Sequence, residues 1–111
     1  MSKKINAKFI YLTIDSTERA KNLCTTLISE ELVACANILG ASSSIYKWEG
    51  RIVAEDEVVI ILKTRNNLVK LVIERIKELH PYDCPAVVVL KLEDGNNDFF
   101  EWIDETTLSP G

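Results

Sequence analysis

The side chain best suited to metal chemistry in this chain is its only histidine, His80. It follows an apolar helical stripe and stands directly before Pro81. A neutral imidazole is a ligand for copper or zinc, and it also hydrogen-bonds to neighbouring subunits or to the last carbonyls of a helix. Cys84 lies four residues further on, but prolines at 81 and 85 exclude a helix there, so the spacing does not bring the two side chains together. His80 is therefore the candidate metal ligand, with hydrogen bonding as its alternative role.

Three cysteines are candidates for thiol chemistry. Cys24 falls on an apolar helical stripe, where a small buried thiol is a common core residue. Cys35 lies in a strand-like segment, and we treat it and Cys84 as candidates for a functional role. An odd number of cysteines without a C-x-x-C pair is typical of reduced thiols in the cytosol rather than of a disulfide framework. Because the N-terminus is polar and no apolar run approaches the ~20 residues of a membrane span, we expect a cytoplasmic protein without a membrane partner.

Four further side chains have the composition of a small-molecule pocket. They are Trp48, Lys63, Tyr82 and Trp102. Aromatic walls with a few polar groups are typical of ligand sites, and the same residue types suit packing between subunits, so both interpretations stay open. An acidic run adds Glu55 and Glu57, which strand alternation turns to one face, while Asp56 faces the other. Several copies of this run lining a cleft would attract cations, and an ordinary solvated face is the alternative.

Hydrophobic periodicity predicts four strands and two main helices that position these residues. The strands are expected at 8–14, at 33–39 resuming at 45–48, at 51–64 and at 86–92, the helices at 20–28 and 68–79, a short helix at 99–103 and a frayed tail at 107–111. Asp15 followed three residues later by Glu18 predicts a capping box before the first helix. The order β-α-β-β-α-β is that of a ferredoxin-like α+β fold, one antiparallel sheet with two helices on one face, and residues 1–111 form a single domain.

The central hairpin is too long for a compact domain. Glu49-Gly50 is a candidate two-residue turn, and the second arm, residues 51–64, reaches roughly 45 Å at ~3.3 Å per residue. A domain of this length has a diameter of about 35 Å, so we expect the tip to project. It carries large apolar side chains, including Ile45 and Trp48, which favours pairing with other copies of the chain. The alternative is that Gly40 and the serines after it bend the arm back onto its own sheet.

The charge balance disfavours nucleic acid as a partner, because 17 acidic residues outnumber 13 basic ones and give a net charge of −4. RNA-binding modules with the same element order display aromatic residues on the third strand, whereas residues 55–62 here are acidic and then aliphatic. An acylphosphatase-like hydrolase on this fold is another alternative. It needs a cradle for anions after the first strand, but residues 15–18 are Asp-Ser-Thr-Glu, which repel phosphate.

Four motifs resemble those of the CutA divalent-cation tolerance family. They are Leu32–Ile38 followed by Ser44–Gly50, Ile61–Thr64, Leu79–Pro85 and Asn97–Ile103. They occur in the family's order and close to its spacing, and the resemblance runs from about Lys8 to Ile103. Four linked motifs over nearly the whole chain are a far more specific signal than any one of them.

The resemblance implies a ferredoxin-like fold, a homotrimer built by strand pairing between subunits, kinship with the PII signalling trimers, and a non-enzymatic role in tolerance of divalent cations, copper above all. The family's suggested copper site uses a cysteine near the end of the first strand and a His-His pair. Thr13 and Leu79 replace two of these here, and His80 remains. From the resemblance we expect a metal ion or small ligand at clefts between subunits, with a pure trimeric scaffold as the alternative. The expected cleft or interface residues are Cys35, Trp48, Glu57, Lys63, Tyr82 and Trp102.

Overall fold

A computed structural model describes residues 5–109 of the chain. The elements in order are β1 (Ala7–Ile14), α1 (Thr17–Ser29), β2 (Cys35–Trp48), β3 (Arg51–Arg65), α2 (Val69–Leu79), β4 (Val87–Lys91) and α3 (Asn97–Thr106), with a 3₁₀ turn at Asn66–Leu68 before α2. The strands form one antiparallel sheet in the order β2-β3-β1-β4. The predicted ferredoxin-like α+β fold is confirmed, and the short helix predicted at 99–103 is α3, which extends further at both ends.

The sheet has two unlike faces. One face packs on α1 and α2 and holds the main core, whose largest buried side chains include Ile10, Leu12, Ile14, Leu27, Ile60, Leu62, Leu68, Val72 and Ile76. The other face, called the open face below, carries the alternate residues of β1 and β3, such as Tyr11, Ile61 and Lys63. Helix α3 packs at one end of the open face through a small cluster of Ala7, Ala34 and Ile103. Most of the open face therefore has no covering layer within residues 5–109.

Helix α1 begins one residue later than the capping box predicts. Ser16 is the N-cap, and its Oγ accepts a hydrogen bond from the backbone N–H of Arg19 at 3.2 Å. The predicted pairing of Asp15 with Glu18 is wrong, because Asp15 instead forms an ion pair with Arg19 at 3.2 Å. Ser16 has the same preference for this position as an aspartate, which is why the sequence alone does not separate the two.

The long hairpin is continuous from its base to its tip. The predicted interruption of β2 at 40–44 is wrong: the strand runs through this segment, with a bulge between Leu39 and Ser42 where Ala41 has φ 51°. The predicted turn is confirmed, since Glu49 and Gly50 both have positive φ, 49° and 78°, as a two-residue hairpin turn of the primed type requires. The bulge therefore does not fold the arm back, and β2 stays paired with β3 to the tip.

The hairpin makes the molecule elongated. Its principal extents are 50 × 29 × 22 Å and its radius of gyration is 15.1 Å, against about 13 Å for a compact chain of this length. At the tip Ile45, Trp48 and Ile52 are 70%, 63% and 77% exposed. The prediction of a projecting, apolar tip agrees with this shape.

The end of α3 is anchored by a residue of β3. Helix α3 has no basic residue in its last turn, and Arg65 supplies that charge: its Nε donates to Thr107 Oγ1 at 2.9 Å, and its Nη2 donates to the carbonyls of Asp104 and Thr107. The backbone N–H of Leu108 donates to the Glu31 carbonyl at 2.9 Å. The predicted fraying is therefore wrong for residues 107 and 108, and residues 110–111 lie outside the described part of the chain.

Candidate functional site

His80 closes α2 and directs its ring into the protein, where it is 7% exposed. The backbone N–H of Tyr82 donates to His80 Nδ1 at 3.1 Å, and His80 Nε2 lies 2.7 Å from the carbonyl oxygen of Thr13. Because a backbone N–H can only donate, Nδ1 must carry the lone pair, and the ring proton must be on Nε2, which donates to Thr13. The geometry therefore fixes a neutral imidazole in one tautomer.

These two hydrogen bonds bear directly on the predicted metal-ligand role of His80. Both ring nitrogens are occupied, so no lone pair is left for a metal ion in this arrangement. Leu79 packs against the main core and offers no ligand atom, and the atom of Thr13 that contacts His80 is its backbone carbonyl oxygen. Within residues 5–109 no group of three or more His, Cys, Asp or Glu side chains is placed to hold a metal ion. The geometry supports the hydrogen-bonding alternative for His80.

Tyr82 links His80 to the open face, because its backbone contacts His80 and its hydroxyl contacts Glu57. Its hydroxyl donates to Glu57 Oε2 at 3.1 Å, and its ring meets the edge of the His80 ring at a centroid distance of 4.6 Å and an angle of 63°. Burial, followed by the hydrogen bond to Glu57 and the charge of that carboxylate, raises the pKa of Tyr82 to about 12. The phenol therefore keeps its proton at neutral pH and remains a donor to Glu57.

Glu57 and Tyr82 are part of a cleft of about 560 Å³, called the aromatic–acidic cleft below. It is lined by Thr13, Tyr46, Trp48, Val53, Glu55, Glu57, Tyr82, Cys84 and Ala86. The hairpin pairs outward from its turn, with Trp48 opposite Arg51 and Tyr46 opposite Val53. Strand alternation then places the two aromatic rings on the same face as both glutamates. Residues 80–86, between α2 and β4, form the opposite wall.

The cleft is built for positive charge. Among the described residues that line it none is basic, and Glu55 and Glu57 bring two carboxylates. The hydrogen bond to Glu55, then burial, then the charges of Glu55 and Glu57 raise the pKa of Tyr46, so this phenol also stays protonated. Tyr46 and Trp48 add electron-rich ring faces that attract cations.

Three of the predicted site residues meet in this cleft, namely Trp48, Glu57 and Tyr82. The others do not. Lys63 lies at the far end of the open face beside Cys35, its partner across the strands. Trp102 lies on α3, 43% exposed and stacked on Phe99 with centroids 6.1 Å apart. The length of β3 between the tip and α3, residues 51–65, corresponds to roughly 50 Å, so one subunit cannot bring Trp48 and Trp102 into one pocket.

The three cysteines differ sharply in environment. All are free thiols, with Cys24 buried, Cys35 half-buried and Cys84 exposed in the cleft. Burial raises the pKa of Cys24 to about 11, only slightly offset by the charge of Lys63. The prediction that Cys24 is a core residue is confirmed.

Sequence reasoning missed Tyr46 as a site residue and did not commit to Glu55 or Cys84. The signal for the first two was present, because pairing the hairpin outward from the turn puts Tyr46, Trp48 and the glutamates on one face. Cys84 could not be placed in this way, since the path of residues 80–86 depends on the hydrogen bond between His80 and the sheet.

None of the helices in residues 5–109 has the length and apolar character needed to cross a membrane.

Comparison with known proteins gives one consistent result. The sequence model of the family described as CutA1 divalent ion tolerance protein matches residues 8–106. The divalent-cation tolerance protein CutA of Pyrococcus horikoshii is 45% identical over 98 residues, 88% of this chain and 95% of that protein. That of Thermus thermophilus is 36% identical with the same coverage, 88% and 95%. Among solved structures, CutA1 of Oryza sativa has a TM-score of 0.92 at 35% identity, covering 98% of this chain and 100% of that chain.

Proposed function

Because the chain belongs to the CutA1 divalent ion tolerance family, we propose that it is a non-enzymatic homotrimer that responds to divalent cations, copper among them, and that it binds a cation or a small cationic ligand in the aromatic–acidic cleft. The observation that carries the proposal is that cleft, which combines two carboxylates and aromatic walls and contains no basic group among its described residues. The names of the relatives from Pyrococcus and Thermus state divalent-cation tolerance for those proteins.

The assembly is supported by the hairpin and by the two edges of the sheet. Strand β2 is a long edge, and β4 is a short one that exposes half of Val88 and 40% of Leu90. A long unpaired edge with apolar side chains on an exposed tip is stabilised by pairing with another chain. The two edges are different surfaces, so a contact between them is head-to-tail, and such contacts form a closed ring when the rotation between subunits closes. The number three comes from the family resemblance.

The cation site is supported by the types of ligand that the cleft offers. Glu55 and Glu57 provide oxygen ligands, and Trp48 and Tyr46 provide ring faces. A given set of oxygen ligands binds Cu²⁺ more tightly than Mn²⁺, but carboxylates alone lack the imidazole or sulfur ligands that copper prefers. With both nitrogens of His80 occupied, copper binding at this site depends on Glu55, Glu57 and the nearby thiol of Cys84. We therefore expect weak, exchangeable binding of divalent ions, in keeping with a response to excess metal.

The hydrolase alternative is disfavoured by a second cleft, of about 440 Å³, at the start of α1. An acylphosphatase-like enzyme would bind phosphate there, but Asp15, Asp56 and Glu57 line the cleft beside the helix N-terminus. Their charges repel a phosphoryl group. A nucleic-acid partner is likewise disfavoured by the net charge of −4, and the three free thiols favour the cytoplasm as the location.

Two measurements test the proposal. Light scattering after size exclusion at micromolar concentration should give three times the chain mass of 12.5 kDa, and a monomer would refute the assembly.

Calorimetry with Mn²⁺, Zn²⁺, Cu²⁺ and tetramethylammonium should give saturable binding. The double variant Glu55→Gln, Glu57→Gln should weaken this binding at least tenfold. Glu105→Gln, on the exposed surface of α3, is the matched control and should leave binding unchanged. Absence of binding by all four probes would leave only a trimeric scaffold.

A further inference from the structure

Lys63 is a buried cation in the middle of the sheet. It lies on β3, between Phe9 of β1 and Cys35 of β2, on the open face near α3. It is only 6% exposed, so almost the whole side chain is out of contact with water. Long cationic side chains are almost never buried to this extent without a partner of opposite charge.

The partners that Lys63 has do not neutralise it. Its Nζ donates to Asn37 Oδ1 and lies 5.6 Å from the centroid of the Phe9 ring. An ammonium group has three donors, and only one is used by a hydrogen bond within residues 5–109. The described ion pairs leave Lys63 out, although more exposed cations such as Arg19 and Arg75 each contact a carboxylate. The buried charge is thus left with an amide and a ring.

An anion would stabilise this arrangement. Burial removes the hydration free energy of an ammonium group. A ring face and one amide oxygen compensate part of this loss, and an oxyanion on the remaining donors would compensate the rest. Asn37 contributes as well, because its Oδ1 faces Lys63 and its Nδ2 donors are therefore directed elsewhere. Asn37 is exposed, so the pair is reached from the open face.

We propose that Lys63 and Asn37 form a site for a carboxylate. The site lies about six residues along β3 from Glu57 of the aromatic–acidic cleft, and it attracts anions where that cleft attracts cations. The carboxylate comes either from an acidic side chain of a sister subunit or from a small carboxylate in solution. The neighbouring residues on the open face, Ile61 and Phe9, are apolar and strengthen a charge pair by excluding water. The sister-subunit source rests on the proposed trimer, whereas the solution source does not.

The first experiment tests the source in solution. Melting temperatures of the full chain are measured against succinate, with chloride at equal ionic strength as the reference. A carboxylate site predicts a rise of at least about 4 °C at saturation. Lys63→Met and Asn37→Ala should each remove most of this rise. Lys70→Met, which deletes an exposed charge of α2, should keep it.

The second experiment tests the sister subunit. If a sister carboxylate occupies the site, succinate has no effect, and Lys63→Met raises the dissociation constant of the oligomer at least tenfold because it leaves that carboxylate buried and unpaired. Lys70→Met should not. Replacing acidic residues by their amides, one at a time, should identify one whose effect is not additive with Lys63→Met.

The proposal is overturned if Lys63→Met and Lys70→Met behave alike in both experiments. Should Lys63→Met fail to fold, Asn37→Ala decides the first experiment, because Asn37 is exposed. A monomeric protein would refute the proposed trimer but not the site, since the succinate titration applies to the single chain. A trimer without a succinate response and without non-additivity would refute the site alone.

Discussion

His80 Nε2 and the carbonyl oxygen of Thr13 are joined by a 2.7 Å hydrogen bond across 67 residues of sequence. The bond ties the end of α2 to the end of β1, and the second ring nitrogen holds the backbone of Tyr82 at 3.1 Å. Tyr82 in turn donates to Glu57 at 3.1 Å. One neutral imidazole thus connects the helix layer to the wall of the aromatic–acidic cleft. Its role in this geometry is structural, because both ring nitrogens hold backbone groups in place.

Replacing His80 by alanine should destabilise the protein by about 3 kcal/mol, because it leaves a cavity and removes the partners of the Thr13 carbonyl and the Tyr82 amide. Urea unfolding at fixed protein concentration measures this loss. Lys77→Ala, at an exposed position of the same helix, is the control and should change stability by less than about 0.5 kcal/mol. Equal effects of the two substitutions would contradict the role assigned to His80.

Tyr82 should titrate with a pKa of about 12, two units above the ordinary value of 10.0. Since the folded state favours the neutral phenol, the resulting stabilisation is fully present below pH 10 and is lost as the pH rises towards 12. NMR of ring-labelled tyrosine measures the titration. Glu57→Gln should lower the pKa without returning it to 10.0, because burial is the larger cause. A Tyr82 pKa near 10 in the unmodified protein would be evidence against the buried geometry.

Alkylation should label the cysteines in order of exposure, Cys84 first and Cys24 last. Burial raises the pKa of Cys24 to about 11, so at pH 8 this thiol is both inaccessible and protonated. Mass spectrometry after timed treatment with iodoacetamide gives the order. The unfolded protein in urea is the control and should label all three at similar rates. Rapid labelling of Cys24 in the native protein would show that the core opens.

Replacing Ala41 by glycine should stabilise the protein by about 1 kcal/mol. Ala41 has φ 51°, a left-handed conformation that costs a residue with a Cβ roughly 1–2 kcal/mol and costs glycine little. Ala54→Gly, on the neighbouring strand of the same hairpin and without positive φ, is the matched control and should destabilise by about 0.5–1 kcal/mol. Thermal unfolding compares the two, and the same sign for both would argue against strain at the bulge.

Periodicity was sufficient for most of the fold, because one face of each strand and helix is apolar. It failed at residues 40–44, where Gly-Ala-Ser-Ser-Ser has weak strand preference, yet pairing with β3 keeps the segment extended. It also failed at the start of α1, where Asp15 and Ser16 are equivalent as caps.

The candidate site divides in the same way. Trp48 and Glu57 are related by a short-range turn and can be placed from sequence. The contact of His80 with Thr13 and the burial of Lys63 depend on packing between distant segments, which no local pattern contains. The resemblance to a family located the motifs but could not tell that the histidine is fully engaged.

The bulge at Ala41 also changes which residues of β2 share a face with the glutamates. Before the bulge, Asn37 and Leu39 stand opposite Ile61 and Val59, so the odd-numbered residues of β2 share the face of Glu57. After the bulge, Ser42 stands opposite Glu57, so the even-numbered residues share that face. A one-residue slip inverts every later side chain. The extra residue lets the register at the base of the hairpin coexist with the pairing set by the two-residue turn, which holds Tyr46 and Trp48 on the side of the carboxylates.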